Sequence, residues 1–108
     1  MFVRNIKEFK KKTNKKKIIC LDCGKKKVGI AISDENHKIS MPMETLVRNL
    51  EFYKNIIKII NDYNIGGILV GLPLDEDKKI NKMSQSIIDT TKNLDNHLSR
   101  SKLNIPFF

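Results

Sequence analysis

The feature that most constrains this fold is a pair of apolar runs separated by a short polar turn, within residues 18–34. Strand signals come from two segments, IICL at residues 18–21 and VGIAI at residues 28–32, with Gly24 and three lysines between them. Two strands joined by so short a turn are predicted to pair as an antiparallel hairpin. Asp22 closes the first strand, where a charged residue is costly unless it is paired or used.

The register of this hairpin decides what surrounds the acidic residue. If Asp22 pairs with Gly29, the missing side chain at Gly29 leaves room beside the carboxylate for an ion or a phosphate. The turn places Lys25, Lys26 and Lys27 directly after Asp22. These lysines either bind a phosphate backbone or simply solvate the tip of the hairpin.

The positive charge of the chain is unevenly distributed. The formal net charge is +9, and residues 1–17 hold eight lysines and arginines against the single Glu8. Such an arm adds salt-dependent affinity for RNA or DNA, or is a solvated tail. Phe2, Ile6 and Phe9 have the spacing of a short amphipathic helix, which packs on the domain or rests on an anionic membrane. Because the apolar stripe is short, packing on the domain is favoured over binding to a membrane.

Length and composition narrow the class of protein. A chain of 108 residues supports one domain. No segment approaches the ~20 apolar residues of a membrane span, and no secretory signal is recognisable, so we expect a soluble cytoplasmic protein. Cys20 and Cys23 form a C-x-x-C, but on a strand their side chains point to opposite faces. One pair cannot complete a four-ligand zinc site, so we interpret both as small apolar residues.

Periodicity predicts an α/β chain after the hairpin. The expected elements are a strand at 39–43, a helix from about 49 to 63, a strand at 68–70, a helix at 80–98 and the start of a strand at 104–108. Asn49 is a plausible N-cap of the first helix, and the glycine pair at 66–67 is expected to separate it from the next strand. The predicted mixed sheet has antiparallel strands 1–3, parallel strand 4 and the start of parallel strand 5, with two helices.

Ligands of open α/β sheets bind beyond the carboxyl ends of the parallel strands. Asp22 and the turn at 71–73 would meet there if the first and fourth strands are parallel neighbours. One carboxylate can hold a hard cation such as Mg²⁺, whereas a two-metal phosphodiesterase needs several converging acids. The other acidic candidates, which also fit ordinary turns and solvated loops, are Asp34, Glu35, Glu44, Asp75, Glu76 and Asp77.

Several motifs resemble those of one protein family. The segment DCGKKKVGIAISD at 22–34 is similar to the opening motif Asp-x-Gly-Thr-Lys-Arg-x-Gly-x-Ala-x-Ser-Asp of the YqgF/RuvX proteins, with Lys25 in place of threonine. PMET at 42–45, Arg48 and GLP at 71–73 match in order and spacing. The resemblance covers residues 18–108. The family is described as pre-16S rRNA nucleases, is also called Holliday-junction-resolvase-like, and has an RNase H-like fold.

The resemblance implies a specific chemistry. Asp22 would be the first catalytic, metal-binding carboxylate, with Mg²⁺ or Mn²⁺ as cofactor. The activity would be cleavage of RNA phosphodiesters during maturation of the 16S rRNA 5′ end, with precursor 16S rRNA, a ribosomal particle or DNA as partner. Lys25, Lys26 and Lys27 would contact the nucleic acid. The chain would then consist of a basic arm at 1–17 and an RNase H-like domain at 18–108.

The chain also departs from the family pattern. The loop after GLP reads DEDK at 75–78 in place of Asn-x-Asp-Gly. Family members continue past the strand at 104–108 into Asp-Glu-Arg and a helix with another acidic residue, so we expect this sequence to lack the C-terminal part of the fold and the later catalytic acids. The alternatives are an inactive relative that binds RNA or the ribosome, a Holliday-junction resolvase and an actin-like ATPase.

Overall fold

A mixed β-sheet organises the part of the chain that the computed structural model describes, residues 2–73 and 76–108. The elements in chain order are α1 (Ile6–Lys12), β1 (Lys17–Cys23), β2 (Lys27–Ser33), β3 (Ser40–Pro42), β4 (Leu46–Val47), α2 (Glu51–Asp62), β5 (Ile65–Val70) and α3 (Lys82–Arg100). The strand order is β3-β2-β1-β5, and β4 also pairs with β2. β1 pairs antiparallel with β2 and parallel with β5, which confirms the predicted α/β class and mixed sheet.

The start of a further parallel strand lies beside β5, as expected. Phe107 forms a parallel bridge with Ile68. The backbone N–H of Ile68 donates to the carbonyl of Pro106 at 2.9 Å, and the N–H of Phe108 donates to the carbonyl of Ile68 at 2.8 Å. β5 therefore lies between two parallel neighbours, which explains why its sequence is almost entirely apolar.

The β1–β2 hairpin has the predicted register. Asp22 pairs with Gly29, and the N–H of Gly24 donates to the carbonyl of Lys27 at 2.8 Å to close the turn. The period of two along β1 places Ile19 and Leu21 in the main core and Ile18 on the opposite face. The alternation of side chains thus sends Asp22 to the face that lies away from the main core.

The main core lies between this sheet and the two longer helices, α2 and α3. Its fully buried members are drawn from both layers and include Ile19, Val28, Phe52, Ile56, Ile68, Ile87, Leu94 and Leu98. The helical members recur at steps of three and four, which is the spacing of one buried helix face. Each such side chain contributes about 1.5–3 kcal/mol of transfer free energy, so this layer fixes the sheet that carries Asp22.

The basic arm packs on the opposite face through α1. Phe9 is 2% exposed and forms a small apolar cluster with Val3 and Ile18, against which Cys20 and Leu69 pack. Gly67 makes the close approach possible, because a Cβ there would lie 3.1 Å from Cζ of Phe9 and would collide with Cγ2 of Thr13. The helix therefore packs on the domain, which is the outcome that the short apolar stripe favoured.

Two predicted details of the helices and strands are wrong. α1 begins at Ile6, because the Asn5 side chain accepts the N–H of Glu8 at 2.8 Å and caps the helix there. The glycine pair at 66–67 lies inside β5, because the basic arm packs so closely there that a Cβ would collide with Lys16 at Gly66 and with Thr13 at Gly67. Asn64, with a φ of 54°, makes the turn before the strand.

The predicted starts of the two longer helices also differ from the structure. α2 begins at Glu51, and Asn49 lies one residue before the cap position, although its Oδ1 accepts the N–H of Glu51 at 3.0 Å. α3 begins at Lys82, because Asn81 and Ser84 form a capping box there. None of the helices within the described ranges has the length and apolarity that crossing a membrane requires.

Candidate active site around Asp22

Asp22 lies at the carboxyl end of β1 with its side chain exposed. Leu21 pairs with Val70 in the parallel register, and the N–H of Gly71 donates to the carbonyl of Leu21 at 3.2 Å. Asp22 and the turn after β5 therefore meet at one edge of the sheet, as we predicted from strand order. Carboxyl ends of parallel strands are where α/β proteins bind ligands.

An open groove of about 490 Å³ runs along the sheet in front of Asp22. Its floor consists of small and apolar residues, among them Cys20, Gly29, Ala31, Leu69 and Gly71. A Cβ at Gly29 would lie 3.7 Å from Cβ of Asp22, whereas nothing lies within 4 Å of one at Gly71. The two glycines therefore leave free volume on both sides of the acidic residue.

The carboxylate of Asp22 is available to a ligand. No donor within residues 2–73 and 76–108 hydrogen-bonds to it, and none of the ion pairs there includes it. Its oxygens can therefore accept hydrogen bonds or bind a cation. Because Asp22 is exposed, its carboxylate needs no protein partner, and its position at the carboxyl ends of two parallel strands carries the functional interpretation of this site.

The described residues fit one divalent cation that the protein shares with substrate phosphates and water better than they fit a complete two-ion centre. They contain no group of three or more His, Cys, Asp and Glu side chains placed to hold a metal. Mg²⁺ is often held by one or two carboxylates together with substrate phosphates and water, so Asp22 alone suits part of its coordination shell. A second ion would require acidic ligands that this part of the chain does not bring to the groove.

The other predicted acidic candidates that the structure describes form no metal-holding group with Asp22. Oδ1 of Asp34 accepts the N–H groups of Lys38 at 2.7 Å and Ile39 at 3.0 Å. The bond from Ile39 is the largest of the effects that lower the pKa of the Asp34 carboxyl. Oδ1 of Asp77 accepts the N–H of Lys79 at 3.2 Å. Asp34 and Asp77 are thus turn residues, and Asp75 lies outside the described residues.

The hairpin turn places three exposed lysines next to the acidic residue. Lys25, Lys26 and Lys27 are all exposed, and none forms an ion pair with a carboxylate within the described ranges. Their charges are therefore unneutralised by the protein, which is what contact with a phosphate backbone requires.

Arg48 is a structural residue of the site to which sequence reasoning assigned no role. Its Nη1 donates to the carbonyl of Gly24 at 2.9 Å, and its Nη2 donates to Ser86 Oγ at 2.9 Å and Thr90 Oγ1 at 2.7 Å. Its backbone N–H donates to the carbonyl of Lys26 at 2.8 Å. Arg48 thus ties the lysine-bearing turn to α3. The only signal in the sequence is the spacing of Ser86 and Thr90, which lie four residues apart on one face of α3. This spacing does not by itself indicate that an arginine binds there.

The two cysteines occupy opposite faces of β1, as predicted. Cys23 belongs to the main core, and Cys20 contacts the cluster around Phe9. Burial raises the pKa of the Cys20 thiol. Burial also raises the pKa of Cys23, an effect that the charge of Arg48 partly offsets and that of Asp22 reinforces. Because both thiols disfavour the thiolate, they are structural apolar residues.

Comparisons with known proteins agree with this architecture. Residues 16–108 match the family model described as RuvX, Holliday junction resolvase. A protein of Pelagibacter ubique named "Putative pre-16S rRNA nuclease" is 39% identical over 92 residues, which cover 82% of this chain and 61% of that protein. The protein of the same name from Orientia tsutsugamushi is 36% identical over 110 residues, which cover 100% of this chain and 67% of that protein.

The matched relatives are longer than this sequence. A third protein of that name, from Mycoplasma mobile, is 36% identical, and the match covers 60% of its length. The chain therefore spans about 60% to 67% of the relatives that it matches. A solved actin-like ATPase fold from Bacteroides thetaiotaomicron aligns at 7% identity with a TM-score of 0.44, covering 94% of this chain and 37% of that one, which is too low to establish a shared fold. The mixed sheet and three helices of the described residues are consistent with an RNase H-like fold, and the chain belongs to the RuvX family.

Proposed function

We propose that this protein acts as a metal-dependent nuclease that hydrolyses precursor 16S rRNA at its 5′ end, with Asp22 as a metal-binding catalytic residue. The observation that carries the proposal is the unbonded, exposed carboxylate of Asp22 in an open groove at the carboxyl ends of two parallel strands. The names of the relatives supply the reaction class. Such a role would place the protein in the cytoplasm, with RNA as its substrate.

Each residue of the site has a distinct task in this proposal. Asp22 would hold Mg²⁺ or Mn²⁺ through its carboxylate, and the bound ion would polarise the phosphodiester and activate a water molecule. Gly29 and Gly71 leave the space in which a phosphate can approach the carboxylate. The turn lysines neutralise neighbouring phosphates, which positions the strand without reading its sequence.

The decisive experiment compares the wild type with Asp22→Asn. Cleavage of a precursor 16S rRNA 5′ segment is measured with Mg²⁺ or Mn²⁺ and with a chelator. We expect Asp22→Asn to reduce the rate by at least about 100-fold, in keeping with the loss of a group that acts directly at the reacting centre. The matched control is Asp89→Asn, which removes an exposed acid from α3 on the far side of the sheet and should cleave normally.

Other outcomes would change the assignment. Undiminished cleavage by Asp22→Asn would remove Asp22 from the mechanism. Tight RNA binding by the wild type without any cleavage would favour the alternative, a relative that binds RNA or the ribosome. Preferential cleavage of a four-way DNA junction in the same assay would favour the Holliday-junction resolvase.

A further inference from the structure

The basic arm and Asp22 lie on the same face of the sheet. Side chains of a strand alternate between faces, so Ile18, Cys20 and Asp22 share one face of β1. Ile18 packs against Phe9 of α1, and Cys20 contacts the same cluster. The arm therefore covers the beginning of the face on which Asp22 stands at the end.

The distance between the arm and the acidic residue is short. Asp22 is four positions beyond Ile18 along the strand, which corresponds to about 13 Å. The groove of about 490 Å³ occupies part of this distance, with Cys20 and Leu69 at the end nearer α1.

The outer surface of the arm is almost uniformly cationic. Its exposed basic residues are Arg4, Lys7, Lys10, Lys11, Lys12, Lys15 and Lys16. Glu8 is the acidic residue among them, and none of the seven forms a salt bridge within residues 2–73 and 76–108. A surface of this kind attracts polyanions by releasing their condensed counterions.

The packing of the arm favours RNA over a lipid surface. An interfacial helix needs its apolar face free to enter the headgroup region. Here Phe9 is 2% exposed, Val3 is 8% exposed and Thr13 is fully buried, so the domain covers the centre of the apolar side, whereas Phe2 and Ile6 are 51% and 47% exposed. Two half-exposed apolar side chains are a small surface beside seven exposed cationic ones, and a surface dominated by positive charge suits a phosphate backbone.

The arm is also held in place at both ends. The N–H of Val3 donates to the carbonyl of Phe107 at 2.9 Å. Nε2 of His37, in the turn after β2, donates to the carbonyl of Lys16 at 2.7 Å. The backbone that carries the lysines between these anchors is therefore fixed relative to the groove, and binding to it costs less entropy than ordering a free tail.

We infer that α1 and its flanking residues form an RNA-binding surface that is continuous with the Asp22 groove and leads a single strand to the carboxylate. Lys25, Lys26 and Lys27 lie on the other side of Asp22 along β1, so the carboxylate stands between two cationic regions. The inference rests on the proposed function, because it is the RNA substrate that the surface would guide.

The first test measures RNA binding without cleavage. Fluorescence anisotropy with a single-stranded RNA oligonucleotide in a chelator compares the wild type with a Lys7→Gln, Lys11→Gln, Lys15→Gln variant. We expect affinity to fall on the order of tenfold at low salt, and the slope of log K against log salt to become shallower by about 2. The control replaces three exposed lysines outside the arm, Lys54, Lys92 and Lys102, by glutamine. It should change both the affinity and the salt slope by clearly less than the arm variant does.

A second measurement tests continuity with the groove. Without metal, the charge of Asp22 repels a phosphate that lies in front of it, so Asp22→Asn should tighten RNA binding about two- to fivefold. Asp89→Asn makes the same change in net charge on the far face and should have a smaller effect. Equal effects of the two substitutions would overturn the continuity of the surface.

Failure of this inference is distinguishable from failure of the nuclease proposal. Unchanged RNA affinity of the arm variant overturns the inference whatever the cleavage assay shows, because binding is measured in the chelator. Arm-dependent binding to phosphatidylserine vesicles, with RNA affinity unaltered, would overturn it in favour of a membrane surface. RNA binding that depends on the arm, in a wild type that cleaves nothing, would support the inference and contradict the nuclease proposal.

Discussion

Replacing Arg48 by methionine should loosen the attachment of the hairpin turn to α3. The guanidinium donates to the carbonyl of Gly24 and to the hydroxyls of Ser86 and Thr90, at 2.7 to 2.9 Å. Methionine keeps the length of the aliphatic stem and removes all three bonds. The perturbation therefore isolates the hydrogen bonds from the packing of the stem.

The magnitude follows from the number of bonds and their exposure. A hydrogen bond to a charged group contributes about 1.5–3 kcal/mol when it is buried. Arg48 is only half-buried, and water can replace its donors at the three acceptors, so we expect a total of about 2 kcal/mol in the free energy of unfolding. For a chain of this length, that corresponds to a decrease of about 9 °C in Tm.

Urea unfolding followed by circular dichroism measures this change directly. Arg48→Lys keeps the charge but not the planar fork, so it should recover only part of the loss. A double-mutant cycle with Thr90→Val should show a coupling of about 1 kcal/mol. Stability of Arg48→Met within about 0.5 kcal/mol of the wild type, or the absence of coupling with Thr90, would refute the role of this residue as a link.

Two further predictions concern the arm and the turn after β2. Gly67→Ala should displace α1, because the new methyl group collides with Thr13 and crowds Phe9. We expect a loss of about 1–3 kcal/mol in urea unfolding and faster tryptic cleavage in the arm, with Gly71→Ala as a neutral control. Hydrogen bonds to Asp34 lower the pKa of its carboxyl in the folded state. Their contribution to the free energy of unfolding is therefore present at pH values above the pKa of the unfolded state, and it is lost as the pH falls through the lower pKa of the folded state. An Asp34 titration midpoint measured by NMR at or above the ordinary value would contradict this assignment.

Patterns within a few neighbouring residues predicted the hairpin and the two longer helices, because those elements depend on neighbouring residues. The apolar runs and the glycine-lysine turn at 18–34 predicted the hairpin, and the hypothesis that Asp22 pairs with Gly29 within it is confirmed. Helical periodicity predicted the buried faces of α2 and α3, with errors of one or two residues at their starts. Those errors arose because capping depends on backbone geometry that side-chain spacing does not encode.

The sequence by itself determined the class of fold, the hairpin and the acidic residue that closes its first strand, because residue periodicity and turn chemistry act over a few neighbouring positions. Only the tertiary structure showed that the glycine pair at 66–67 lies within a strand, where the basic arm approaches too closely for a side chain. Only the tertiary structure paired Arg48 with two hydroxyls some forty residues away on α3. It also placed the basic arm on the face of Asp22. These relations depend on which distant segments pack together, and packing selects partners by shape and hydrogen bonding across the whole chain.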